Sequence, residues 1–455
     1  MRRNHSELYH HRESTRHFLH AKAEADDLHK KRIHIPASIQ KAIQSIYPGL
    51  LTGQAFLDHA LEQLSPAVQF AGLVFQIDDD LGSDSRKPHI EPAVAHQRAA
   101  KLFNNFSKKN RGIWGLLNQG LFAAFFAQKT GDLCFALVQQ FQQTSKNKAA
   151  ITVSAGIAEY PSLNYQPADV IPNALKALDH AAFLGPNSAV VFDAVSLNIS
   201  GDQLFEKGNI DGSIQEFRQA LKMDPTNINV HNSLGVCYGL QGEYEKARLE
   251  FNSAVRLNHA EVMAWYNMGF IHMLKGDRHK ALDLFFKANA INQDVFEVNF
   301  QTGRLLMELN QPESGKKFLK RAAALAPTSG AAFRYLGECY TLIGNVDAAV
   351  AAYKKAIKYN PSDAASLSAM GCLFAEQEEN PDIALMFCKE SIQLAPENGL
   401  FRYRLGQLYH KQNRLEDALK EFKEAQRLGK DAADLILKIE KKLQPKASRS
   451  AGQTG

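Results

Sequence analysis

The chain has 455 residues, enough for about two or three domains. Hydrophobic residues make up 45% and charged residues 22%, which is the composition of a globular protein and excludes a largely disordered chain. The formal net charge of +5 is small, and the basic residues are spread along the chain, which argues against a nucleic-acid-binding protein. No stretch has the roughly 20 uninterrupted apolar residues of a membrane span. The N-terminus lacks the apolar run of a signal peptide, so we expect a cytoplasmic protein.

Residues 1–45 form a polar extension rich in histidine, and a helix is expected from Ser6 to about Ile33, before Pro36. On that helix His17 and His20 could share a metal, but a solvated or partner-facing helix is the alternative. The five cysteines show no metal-ligand spacing and are expected as small buried side chains in a reduced protein. They are Cys134, Cys237, Cys339, Cys372 and Cys388. We therefore expect neither a metal nor another cofactor.

Residues 46–193 alternate between helical and strand patterns. The expected elements are a helix from Thr52, a strand over 70–77, a helix over 89–106, a hairpin of 113–117 and 121–126, a helix over 132–144, a strand over 150–158, a helix over 168–184 and a strand over 188–192. This alternation within one domain-sized block predicts an α/β or α+β domain.

The same block resembles the GGDEF family of diguanylate cyclases over roughly residues 48 to 193. The resemblance is carried by the segment Ile151-Thr-Val-Ser-Ala-Gly-Ile-Ala158, by the helix entry Leu51-Thr52-Gly53 and by the turn Gly185-Pro186-Asn187. It implies a nucleotidyl-cyclase-like fold that, in active members, condenses two GTP molecules into cyclic di-GMP with divalent metal.

The residues that such chemistry needs are missing. The hairpin that carries the family's Gly-Gly-Asp-Glu-Phe motif reads Asn118-Gln119-Gly120-Leu121-Phe122, so only the phenylalanine survives. Gln76 stands where the resemblance implies a metal-binding aspartate, and an amide is a poor ligand for a hard cation. Because phosphoryl transfer depends on metal and charge neutralisation, we expect a catalytically silent domain. Residues Asp78 to Asp80 could hold a cation or form a solvated turn, and weak binding of a guanine nucleotide stays open.

From about Ala194 a repeat of about 34 residues runs almost to the C-terminus. Its first column is a ladder of glycines: Gly201, Gly235, Gly269, Gly303, Gly337, Gly371 and Gly406. A bulky residue follows sixteen positions later in most repeats, as in Phe217 and Phe251, and a small residue follows nineteen positions later, as in Ala220. The pattern Leu-Gly-x-x-Tyr is explicit from Leu234 to Tyr238.

These columns resemble the tetratricopeptide repeat (TPR), a helical hairpin that stacks into an all-α solenoid with a concave groove. We therefore expect a multidomain protein, with an α/β domain over 46–193 followed by an all-α TPR solenoid. Seven repeats are expected over 194–430, a cap helix over 431–445 and a disordered tail over 446–455.

Positions on the first helix of each hairpin that face the groove predict a partner site. They are Asn232, Met263, Tyr266, Phe270, Met273, Phe300, Arg304, Met307, Arg334 and Glu338. Met and aromatic side chains suit an adaptable apolar contact and Arg is a common interface anchor, although the same residues at helical spacing also suit a core.

The sequence thus favours a non-catalytic, cytoplasmic bacterial scaffold or signalling adaptor that binds a protein or peptide through its repeats. Two alternatives stay open: a sensor that binds GTP or cyclic di-GMP through the GGDEF-like domain, and a residual cyclase. No nucleic acid and no membrane span are expected.

Overall fold

The computed structural model describes residues 37–78, 91–117, 121–377 and 381–443. The contacts of the chain divide it into two compact units, with the boundary in the sequence between Asn267 and Met268. The predicted boundary at 193/194 lies inside the first unit, which holds a mixed sheet and the first helical hairpins. The N-terminal helix with His17 and His20, the residues Asp79 and Asp80, the turn Asn118-Gln119-Gly120 and the tail 446–455 lie outside the described residues.

Five strands of the first unit form one sheet in the order β2-β3-β1-β4-β5. The strands are β1 Phe70–Ile77, β2 Ile113–Leu116, β3 Phe122–Ala127, β4 Val153–Tyr160 and β5 Ala189–Val191. Central β1 is antiparallel to both β3 and β4, whereas β5 runs parallel to β4. With a helix between β1 and β2 and another between β3 and β4, this order is the ferredoxin-like arrangement. The predicted hairpin is confirmed as the antiparallel β2–β3 pair.

The helices of the sheet domain follow the predicted order with shifted ends. They are α1 Ala37–Ile46, α2 Gly53–Leu64, α3 Pro92–Lys109, α4 Gly131–Ala149 and α5 Val170–Leu184. Helix α3 begins at Pro92 rather than at residue 89, because the fixed φ of proline suits the first helical turn. Helix α1 was not predicted, and its Ile39 and Ile43 are buried in the same core cluster as β1.

The core on one face of the sheet is built from aromatic rings. The ring of Phe75 lies 4.8 Å from that of Phe103 and 5.2 Å from that of Phe141, both edge-on. Such contacts add to the burial of large apolar surfaces. On β4, Gly156 has no side chain, and a Cβ there would overlap backbone atoms of Ala174 and Leu178. The backbone of helix α5 therefore packs directly against the backbone of β4 at Gly156.

The described residues of 194–377 and 381–443 form fourteen paired helices and one further helix. The pairs are α6 Ala194–Glu206 with α7 Ile210–Met223, α8 Ile228–Leu240 with α9 Tyr244–Leu257, α10 Val262–Leu274 with α11 Arg278–Ile291, α12 Phe296–Glu308 with α13 Pro312–Leu325, α14 Gly330–Ile343 with α15 Val346–Tyr359, α16 Ala364–Glu376 with α17 Pro381–Leu394, and α18 Gly399–Lys411 with α19 Leu415–Arg427. We number these pairs repeats 1 to 7. Helix α20, Ala433–Leu443, follows repeat 7.

The glycine ladder marks the crossing of the two helices in each repeat. In repeat 2 a Cβ on Gly235 would lie 2.5 Å from the ring of Phe251, and in repeat 5 a Cβ on Gly337 would lie 2.8 Å from the ring of Tyr353. In repeat 6 the side chain opposite Gly371 is Cys388, seventeen positions later. The extra residue therefore falls between these two positions, which explains the 35-residue step to Gly406.

Across the described ranges no helix is both long and apolar enough to span a bilayer. Within the same ranges no three His, Cys, Asp or Glu side chains come together as a possible metal group.

Candidate functional site

Two of the predicted groove residues in the first unit are buried. Asn232 is 1% exposed and Tyr266 is 0% exposed. The amide of Asn267 donates a hydrogen bond to Oδ1 of Asn232 over 3.2 Å. Met263 lies on the same helix as Tyr266 and is half-buried. In the first unit, then, only Met263 of the predicted groove residues has part of its surface in solvent.

The predicted groove residues of the second unit keep part of their surface in solvent. Phe270, Met273, Phe300 and Met307 are half-buried. The side chains of Arg304 and Arg334 are each 28% exposed, and that of Glu338 is 39% exposed. Arg304 belongs to repeat 4, as do Phe300 and Met307, and Arg334 and Glu338 belong to repeat 5.

Four side chains of repeats 4 and 5 form a contact cluster centred on Tyr335; we call it the groove cluster, and it consists of Phe300, Arg304, Arg334 and Tyr335. The ring of Phe300 meets the ring of Tyr335 edge-on with centroids 5.4 Å apart. The guanidinium carbon of Arg334 lies 4.8 Å from the Tyr335 centroid, and that of Arg304 lies 5.9 Å from it. Both cations are thus within the range of cation–π attraction to one ring.

Acidic side chains border the two guanidinium groups. Arg304 Nε lies 3.6 Å from Glu308 Oε1, beyond hydrogen-bond distance. Arg334 Nη1 donates to Asp363 Oδ1 over 3.4 Å, and the buried Nε of Arg334 has no hydrogen-bond partner. Burial raises the pKa of Glu338, and the charge of Arg334 opposes that rise. Each guanidinium carries five N–H donors, and both arginine side chains are 28% exposed, so part of each side chain lies in solvent.

Tyr335 is not among the groove positions that the sequence analysis selected on the first helices of the repeats. Tyr335 is two before Gly337, and the same column holds unrelated residue types elsewhere, such as Ser233 and Ala369. The adjacent pair Arg334-Tyr335 is the one local signal that could have identified it.

The described end of the β2–β3 hairpin is part of the core. Leu121 is 5% exposed and Phe122 is 3% exposed. The Leu117 amide donates to the Leu121 carbonyl over 2.8 Å, which closes the hairpin, and the Phe122 ring packs 5.5 Å from that of Phe103. These two residues stabilise the sheet and offer no side chain to a ligand.

Asp78, at the end of β1, is tied to the segment that leads into β5. Its carboxylate accepts a hydrogen bond from Ser154 Oγ over 2.6 Å and another from the Asn187 amide over 2.7 Å. A carboxylate with two such donors is already satisfied within the protein. Asp78 therefore links the end of β1 to β4 and to the segment that leads into β5, which is a structural role.

Comparison with known families finds tetratricopeptide repeats in two parts of the helical region. A model described as "TPR repeat" matches residues 201–242 and 337–378, and a model described as "Tetratricopeptide repeat" matches residues 375–438. Together with the paired helices and the glycine ladder, these matches establish that the chain contains tetratricopeptide repeats.

Among characterised proteins, the chain is similar to the BBSome complex member BBS4 of Bos taurus, with 25% identity over 235 residues, which is 50% of this chain and 42% of that protein. It is also similar to anaphase-promoting complex subunit 3 of Schizosaccharomyces pombe, with 23% identity over 167 residues, 37% of this chain and 24% of that protein. The chain thus spans less than half the length of these two relatives. Among solved structures, YrrB, described as a TPR protein with an unusual peptide-binding site, is 22% identical with a TM-score of 0.38, covering 41% of this chain and 95% of that one.

Proposed function

We propose that this chain is a non-catalytic scaffold whose TPR repeats bind a segment of a partner protein. The observation that carries the proposal is the groove cluster, in which two partly exposed arginines flank a half-buried tyrosine and phenylalanine. Aromatic and Arg side chains are the residues most enriched among the anchors of protein interfaces. Two relatives are named as members or subunits of multiprotein complexes, which supports the same class of function.

The apolar residues beside the cluster define how a partner would be held. Phe270, Met273 and Met307 are half-buried on the first helices of repeats 3 and 4, at positions that the repeat pattern assigns to the groove. Flexible Met side chains adapt to apolar groups of different shape. We propose that these residues take apolar side chains of an extended or helical peptide, while Arg304 and Arg334 donate to its acceptors.

The function of the α/β domain is proposed separately: it is a GGDEF-like domain without cyclase activity. The support is its ferredoxin-like strand order, the β2–β3 hairpin at the expected place, and Gln76 in place of a metal-binding carboxylate. The internal hydrogen bonds of Asp78 also favour a structural rather than a metal-binding role.

A random peptide library panned against the full chain tests the scaffold. We expect enriched peptides whose affinity falls at least about tenfold when Phe270, Met273 and Arg304 are all changed to Ala, because loss of interface anchors costs more than about 1 kcal/mol each. The helicity of the triple variant should equal that of the parent. Lys317→Ala, on the second helix of repeat 4, is the control and should leave affinity unchanged. Full affinity in the triple variant would place the site elsewhere.

A second experiment tests the silent cyclase. The full chain incubated with GTP and magnesium should form no cyclic di-GMP, because the ligand set for the metal is incomplete. Turnover that disappears when Gln76 is changed to Ala would contradict the proposal.

A further inference from the structure

The last helix of the α/β domain, α5, packs on two sides. One side lies against β4, where Gly156 permits backbone contact with Ala174 and Leu178. The other side lies against α6, the first helix of repeat 1. Eight residues of α5 are buried; they are Val170, Ile171, Asn173, Ala174, Ala177, Leu178, His180 and Ala181. Helix α5 is therefore an internal layer between the sheet and the first repeat.

Polar contacts fix the position of α5 on repeat 1. The Lys176 ammonium on α5 donates to both carboxylate oxygens of Glu216 on α7, over 2.7 and 2.9 Å. These side chains are only 20% and 18% exposed. A charge pair so far removed from solvent is screened less than a surface pair, so losing one partner is costly.

A second polar contact reaches the start of repeat 1. Buried His180 on α5 places Nδ1 3.3 Å from Oδ1 of Asp193, the residue that caps α6. Asp193 also accepts from the amide and the hydroxyl of Ser196, each over 2.8 Å. Burial opposes the charge of Asp193, but the hydrogen bonds from His180 and Ser196 prevail and lower its pKa. The cap of α6 is thus built partly by the α/β domain.

The C-terminal end of the repeats is also covered by a helix that packs on the last repeat and forms an ion pair with it. Helix α20 covers repeat 7 with fully buried Ile439, and Lys423 of α19 pairs with Glu440 of α20 over 2.7 Å. A repeat hairpin cannot bury its apolar face alone, so both ends of an array need a cover. At the C-terminal end that cover is one helix.

We propose that the α/β domain is the N-terminal cap of the repeats, with α5 covering repeat 1 as α20 covers repeat 7. The α/β domain and the first repeats then fold and unfold as one cooperative body, which gives a domain without catalytic residues a reason to be kept. This role does not depend on whether the groove binds a peptide.

The two tryptophans of the chain provide the test, because both lie in the first unit. Trp114 is on β2 of the sheet, and Trp265 is on the first helix of repeat 3. The full-length variant Trp265→Phe keeps only Trp114, so its tryptophan fluorescence reports on the sheet. The full-length variant Trp114→Phe keeps only Trp265, so its tryptophan fluorescence reports on repeat 3. We expect coincident urea midpoints for the two single-tryptophan proteins. Midpoints separated by more than about 1 M would show independent bodies and would overturn the cap.

Charge reversal at the junction makes the test specific. Lys176→Glu should lower both midpoints together, by about 0.5 M, and the double reversal Lys176→Glu with Glu216→Lys should restore most of the loss. Arg248→Glu, in an exposed pair of repeat 2 with Glu245, is the control and should change neither midpoint. A loss confined to the Trp114 signal would overturn the proposal.

Hydrogen exchange on the unsubstituted chain covers the case in which a tryptophan variant does not fold. Amides of α6 and α7 should show the same protection as those of β1 and β4, because one opening event exposes them all. Exchange in α6 and α7 that is more than about 100-fold faster than in β1 would mean that repeat 1 opens without the sheet, against the proposal.

Discussion

The ring of Phe251 fills the space in which a side chain of Gly235 would stand, with its Cε1 atom 2.5 Å from an ideal Cβ. The two residues are sixteen positions apart and lie on the two helices of repeat 2. Two columns of the sequence repeat, the glycine ladder and the bulky residue, are therefore the two sides of one contact. In repeat 2 the hairpin closes because one side of the contact is empty and the other is large.

Gly235→Ala should therefore destabilise the first unit although alanine is the better helix former. The helix gains up to about 1 kcal/mol from the substitution, but overpacking against a buried ring costs about 1–3 kcal/mol. We expect a net loss, measured as a lower urea midpoint followed by Trp265 fluorescence. Gly49→Ala is the control, because no atom lies within 4 Å of an added Cβ at that position. A more stable Gly235→Ala protein would show that the ring moves aside freely.

Gly156→Ala should be more damaging than any ladder substitution. The added Cβ would overlap the carbonyl oxygen of Ala174 and the backbone of Leu178, which cannot rotate away as a side chain can. We expect a loss above about 3 kcal/mol, seen as a large fall in the midpoint reported by Trp114. Gly72→Ala on β1 is the matched strand variant, because its nearest neighbour is a side-chain carbon of Val170 at 2.5 Å. Equal losses in the two variants would contradict the distinction between backbone and side-chain contact.

The sequence predicted the elements of the fold better than their contacts. The 34-residue period fixed the seven helix pairs, because each column has one packing role. The order of strands in the sheet did not follow from the pattern, since β1 pairs with β3 and β4, which are far away along the chain. Helix α1 was missed because only Ile39 and Ile43 of its short, polar sequence face the core.

The candidate site was only partly predictable for a related reason. A column position gives the direction of a side chain around its helix but not what covers it. Tyr266 and Phe300 occupy the same column, yet Tyr266 is fully buried and Phe300 is half-exposed. Tyr335 lies outside the selected columns and became visible only through its contacts with Arg304 and Arg334.

The pair of His231 and Glu250 should make the stability of repeat 2 depend on pH. Burial lowers the pKa of His231, but the hydrogen bonds to Glu250 Oε2 over 2.7 Å and to the Pro225 carbonyl over 3.1 Å prevail, so the pKa is raised. The native state then holds the proton more tightly than the unfolded state. This stabilisation is fully present below the unfolded pKa of about 6.5 and is lost as the pH rises through the higher native pKa.

The comparison of the parent with His231→Gln measures that effect. The difference in urea midpoint between the two proteins should be largest near about pH 5.5 and should shrink by about pH 8.5. His279→Gln, at a distant and exposed position, serves as the control substitution. Parallel midpoint curves for the parent and His231→Gln would mean that the ion pair does not contribute.

The cysteines should react slowly in the native protein and together on unfolding. Burial raises the pKa of the thiols of Cys134, Cys237 and Cys388 to about 12 and that of Cys339 to about 11. The thiolate is the reactive form, so at about pH 8 these groups should react at least about 100-fold more slowly than an ordinary thiol with a pKa near about 8.5.

Cys372 is less completely covered and should react first. Labelling with a thiol-disulfide reagent should give at most one early thiol in the native chain and five in denaturant, and Cys372→Ser should remove the early one. Rapid labelling of two or more thiols in the native chain would show that the cores holding these cysteines open far more often than their packing implies.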